Sequence, residues 1–64
     1  MNSNLLKAKM TENGETQKSV AAAIGISENS LSRKIKGIRE FRLSEVIKLC
    51  DYLRIDDPGP IFFN

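Results

Sequence analysis

Residues 16–37 read TQKSVAAAIGISENSLSRKIKG, a stretch whose caps and apolar spacing describe two short helices joined by a tight turn. Thr16 is suited to N-cap the first helix, and Val20, Ala21 and Ile24 follow it at helical spacing. Gly25 stands where that helix must stop, because a sharp turn needs a residue at positive φ and glycine adopts it without a Cβ clash. Ile26 then fills the gap between the helices, Ser27 caps the second, and Leu31 with Ile35 gives it an apolar edge. Ala21, Ala22 and Ala23 leave room for two helix backbones to approach closely. Glu28, Asn29, Ser32, Arg33 and Lys36 stand away from the apolar edge as a row of charged and hydrogen-bonding groups.

Outward from this unit, a first helix is predicted over residues 4–13, with Ser3 as a candidate N-cap, Gly14 as the stop, and Leu5, Leu6 and Met10 as the buried stripe. The second and third helices are predicted over residues 17–24 and 28–36, the latter closed by Gly37. Residues 38–42 read as an extended link, with Phe41 tucked under it as a core anchor rather than displayed as a base-stacking platform. A fourth helix is predicted from Leu43 to near Arg54, where Leu43, Val46, Ile47, Cys50 and Leu53 recur at helical spacing as its apolar side. In the tail DDPGPIFFN, Asp57 can cap and Pro58 can take the first position of a short helical turn, while Gly59 and Pro60 forbid anything long. Ile61, Phe62 and Phe63 are too apolar for a bare terminus and must cover either their own core or a second subunit.

A single domain is expected over residues 1–64. A chain of this size buries only about 60% of its unfolded surface, so pairing would help its stability. The lone Cys50 excludes an intrachain disulfide and reads as a small core residue; an intermolecular bridge or redox switch is the other reading. The longest apolar run, residues 20–26, is far too short to span a bilayer, and no charged-then-apolar leader pattern opens the chain, so a soluble cytoplasmic protein is expected. Histidine is absent, and there is no cysteine–base pair, metal-ligand spacing or phosphate-cradling glycine loop, so neither an enzyme nor a cofactor is expected. The net charge of +2 conceals an asymmetry. Residues 16–42 hold six basic side chains (Lys18, Arg33, Lys34, Lys36, Arg39, Arg42) against Glu28 and Glu40, while the remainder is net acidic. Positive charge concentrated on one segment is the footprint of a nucleic-acid face.

With these residues in place, the stretch resembles the helix-turn-helix of the phage Cro/CI-type repressor family. Gln17 matches the first position of that family's first motif helix, Ala21 its small residue and Gly25 its turn glycine; ISENSLSRKIKG is similar to its recognition helix and exit. Residues 5–14 resemble the family's first helix and residues 43–53 its fourth. The resemblance implies an all-α fold, a compact four- to five-helix lambda-repressor-like DNA-binding domain, with the motif at about residues 16–37. Four positions depart from the family pattern. An arginine in the first helix that pairs with a glutamate late in the third is replaced by Met10 and Ile35. Apolar side chains in place of a buried ion pair are often neutral or stabilising, so these two are expected to meet in the core. The usual apolar position before Ile35 holds Lys34, and Glu15 stands where many members are apolar and is expected to be solvent-exposed.

The resemblance implies a third helix lying in the major groove of double-stranded DNA, while the second crosses the backbone. Arg33 can bond guanine O6 and N7 in bidentate fashion, and Asn29 adenine N6 and N7. Ser32 can reach a base edge or a thymine methyl. Glu28 either accepts from cytosine N4 or is simply an acid favoured at a helix N-terminus. Lys36, Arg39 and Arg42 are expected on phosphates, with Lys18 and Ser30 as lesser candidates. Gln17 comes onto a phosphate through the resemblance, and Ser27 is either a cap alone or a cap that also donates to a phosphate. The function implied is that of a sequence-specific transcriptional regulator. With no separate ligand or oligomerisation domain evident, it reads as a small phage or mobile-element repressor, a homodimer on a palindromic operator with Ile61, Phe62 and Phe63 at the interface. No small-molecule ligand is evident and no membrane association is expected. The alternative is a protein-interaction module of the same fold, an antitoxin-like or anti-repressor partner working through the apolar tail.

Overall fold

Side-chain caps start the first three helices of the chain, whose residues 1–63 are described by a computed structural model. The helices are α1 (Ser3–Glu12), α2 (Gln17–Ile24), α3 (Glu28–Ile35), α4 (Leu43–Leu53) and α5 (Gly59–Phe62), with no strand among the described residues. Thr16 and Ser19 cap α2 reciprocally: the Thr16 hydroxyl accepts the Ser19 N–H at 3.1 Å and the Ser19 hydroxyl accepts the Thr16 N–H at 2.9 Å. The Ser27 hydroxyl accepts the Ser30 N–H at 3.0 Å. Gly25 adopts φ 79°, and the Ile26 N–H returns to the Ala21 carbonyl at 3.0 Å, closing α2 in the left-handed turn that its sequence predicts. Arg54 takes the same conformation after α4 without glycine's licence, at φ 56°.

Around this motif the core gathers Leu6 and Met10 of α1, Val20, Ala21 and Ile24 of α2, and Leu31 and Ile35 of α3. Leu49 and Leu53 of α4 and Ile55 and Ile61 of the tail complete it. Met10 and Ile35 are both members of this one apolar cluster. Helix α2 packs against both α3 and α4, and α1 against α5. Of the three alanines only Ala21 is buried; Ala22 and Ala23 face solvent. Phe41 and Cys50 are half-buried against the core.

Four expectations are corrected. Asn2, not Ser3, caps α1, its side-chain oxygen accepting the Leu5 N–H at 3.0 Å. Ser3 begins the helix and gives its hydroxyl proton to the Ile35 carbonyl, one of the orphan acceptors at the end of α3. On α4, Leu43 and Ile47 are 69% and 61% exposed, whereas Leu49 is fully buried. The buried stripe is Val46, Leu49 and Leu53, because α2 docks on that side of a helix with apolar residues on both. Glu15 is half-buried rather than exposed, and its Oε1 accepts from the Tyr52 hydroxyl at 2.6 Å and the Ser19 hydroxyl at 2.8 Å. The Tyr52 bond above all holds the Glu15 carboxyl below the usual range and pushes the phenol up.

The fourth correction concerns the tail. Ile61 is 1% exposed, packed into the chain's own core rather than displayed for a second subunit, and its carbonyl accepts the Asn2 N–H at 2.6 Å. Phe62 is half-buried, meeting Phe41 edge-on with ring centres 5.6 Å apart. Only Phe63, 68% exposed, retains the character expected of an interface residue. The short helix starts at Gly59, one residue later than expected, with the Asp57 carboxylate accepting the Gly59 N–H at 3.0 Å.

Candidate nucleic-acid interface

The buried edge of α3 is Leu31, Lys34 and Ile35. At about 100° per residue, Asn29, Ser32, Arg33 and Lys36 fall on the opposite side of the helix axis. Asn29, Arg33 and Lys36 are exposed and Ser32 is half-buried. Glu28 is exposed as well, but its helical position lies nearer the buried edge than theirs. Ser27 keeps its exposed position at the α3 N-terminus with its oxygen engaged as a cap, which leaves the hydroxyl proton available to an outside acceptor. Gln17 opens α2 half-buried, Lys18 beside it is exposed, and Ser30 is half-buried. Arg39 is exposed on the link, and Arg42 is exposed as the N-cap residue of α4.

These groups make a surface: a helix presenting amide, guanidinium and hydroxyl groups, bordered by cations on the following link, with Ser30, Arg39 and Arg42 lining an open groove between them. Arg33, Lys36, Arg39 and Arg42 form no intramolecular ion pair among the described residues, so their charges are available to an external anion. Guanidinium forks and side-chain amides on one helix face match the donor and acceptor pattern of base edges, and the flanking cations match phosphates. Among the described residues no cluster of histidine, cysteine, aspartate or glutamate could hold a metal ion, and no helix is long and apolar enough to cross a membrane.

One member of the basic segment is withdrawn from that surface. Lys34 is buried, and its ammonium donates to both carboxylate oxygens of Glu45, at 2.6 and 2.7 Å. Glu45 Oε1 also accepts the backbone N–H of Arg42 at 2.8 Å. Burial pushes the Glu45 carboxyl up, but the bonds from Lys34 and the Arg42 amide outweigh it and leave the group below its ordinary 4.5. In the sequence Lys34 counts among the basic side chains of residues 16–42, and nothing there pairs it with Glu45. The available signal was a lysine between Leu31 and Ile35, a position on the buried edge that requires a partner.

A family model for the Cro/C1-type HTH DNA-binding domain matches residues 5–62 of the chain. No curated protein and no solved structure matches it.

Proposed function

The chain belongs to the Cro/C1-type helix-turn-helix DNA-binding family, and from that premise we propose that it is a small Cro-like phage or mobile-element repressor that reads a palindromic operator as a homodimer. The observation that carries the reading is the exposed side of α3, where Asn29, Ser32 and Arg33 stand clear of every intramolecular ion pair while the opposite edge is locked into the core. In this reading Arg33 and Asn29 are the principal base readers, with Ser32 and Glu28 beside them. Gln17, Lys18, Ser27, Ser30, Lys36, Arg39 and Arg42 hold the phosphate backbone. Selection of bound sites from random duplexes tests it, and a chain that enriches no sequence overturns it. Arg33→Ala should then lower specific affinity by about 1–3 kcal/mol and relax preference at one position of each half-site. An unchanged sequence logo would remove Arg33 from the readers.

Neutralising Lys36, Arg39 or Arg42 singly should weaken binding to all duplexes alike and lower the slope of log affinity against log salt by about one unit. A variant that alters sequence preference at constant slope contradicts the phosphate assignment.

The size of the domain supports pairing. The backbone extends 24 × 24 × 20 Å, less than the roughly 34 Å between successive half-sites, so two copies side by side are needed to present two α3 helices to one face of the duplex. With Ile61 consumed by the core, Phe63 is the tail residue left to contribute. Phe63→Ser should weaken cooperative operator binding while leaving thermal unfolding of the monomer nearly unchanged. Equal sedimentation and cooperativity of the two proteins would exclude the tail from the contact.

A further inference from the structure

The Glu45 carboxylate receives three hydrogen bonds from two elements, two from the Lys34 ammonium on the last turn of α3 and one from the Arg42 N–H at the start of α4. Lys34 is covalently next to Arg33, and Arg42 carries one of the proposed phosphate-binding side chains. The pair thus ties the base-reading helix to the start of α4, where the backbone-holding link ends. Leu31 and Ile35 already hold α3 against the core, but apolar contact is non-directional and tolerates rotation and sliding of a helix. Charge-assisted bonds of 2.6–2.8 Å demand both distance and direction, so they select one setting among those that bury the same surface.

We infer that Lys34 and Glu45 are positioning residues for DNA recognition, setting the register of α3 relative to the Arg39–Arg42 link so that base contacts and phosphate contacts are made together. Neither side chain touches DNA in this arrangement. Both are 7% exposed, lining the groove that they share with Ser30, Arg39 and Arg42. The inference rests on the DNA-reading conclusion above and adds to it what keeps the two groups of contacts in phase.

The test pairs the full chain with its selected duplex and with a scrambled duplex of the same length and composition. The double variant Lys34→Met/Glu45→Leu replaces the ion pair by apolar side chains, an exchange that often preserves or raises stability. It should melt at or above the wild-type temperature, yet lose roughly ten- to a hundredfold in the ratio of selected to scrambled affinity, the discrimination carried by one well-placed base contact. Binding to the scrambled duplex, and its salt slope, should stay at the wild-type value because the surface cations are intact. Glu45→Gln, which retains an acceptor for the Arg42 N–H, should fall between the two. A folded variant of either kind that keeps the wild-type ratio overturns the inference, and so does failure of both to fold, which would make the pair a stability element alone. A wild-type chain that selects no sequence overturns instead the DNA-reading conclusion on which it rests.

Discussion

Lys34→Met alone is expected to destabilise the domain by about 3 kcal/mol at neutral pH, the low end for a broken buried ion pair, because each side chain keeps a sliver of solvent contact. The cost arises from what remains: a Glu45 carboxylate still shielded from water and reduced to one hydrogen bond, from the Arg42 N–H. The pH dependence identifies the cause. In the wild type the folded-state value of Glu45 lies below the ordinary 4.5, so its contribution is present above that value and is lost as pH falls through the lowered one. Removing Lys34 removes the larger of the downward pulls and leaves burial pushing up, so the variant loses less on acidification. The gap between the two proteins in urea titrations should therefore narrow as pH is taken from about 7 to below about 4. A gap of under 1 kcal/mol at neutral pH, or one that does not narrow, would show that the pair carries little of the fold.

Leu49→Ala should cost on the order of 2–5 kcal/mol, whereas Leu43→Ala and Ile47→Ala should each stay within roughly half a kcal/mol. Leu49 is fully buried in the common apolar cluster, on a helix packed against α2, and its removal leaves a cavity in a domain with few residues able to collapse into it. Leu43 and Ile47 face solvent on the other side of the same helix. For so small a domain the loss at Leu49 is comparable with the whole free energy of folding, so the variant should populate the unfolded chain at 25 °C. Three equal denaturation midpoints would mean that α4 is docked by the wrong face.

Local chemistry made the helix-turn-helix legible without a structure. Thr16 and Ser27 cap, Gly25 turns left-handed, and Val20, Ala21, Ile24, Leu31 and Ile35 point inward, because each of these choices is settled by neighbours within a turn or two of chain. The polar side of α3 followed from the same periodicity, and with it the candidate DNA face. What the sequence left open depends on which surface a helix meets. Helix α4 carries apolar residues on two sides, and only docking against α2 selects Leu49 over Leu43 and Ile47. Ile61 could cover its own core or a partner until the chain ends were seen to close together through Asn2. Lys34 reads as one more surface cation until Glu45, eleven residues on, is brought beneath it. A buried charge is stable only beside its partner, and a contact between separate helices has no period in the sequence to announce it.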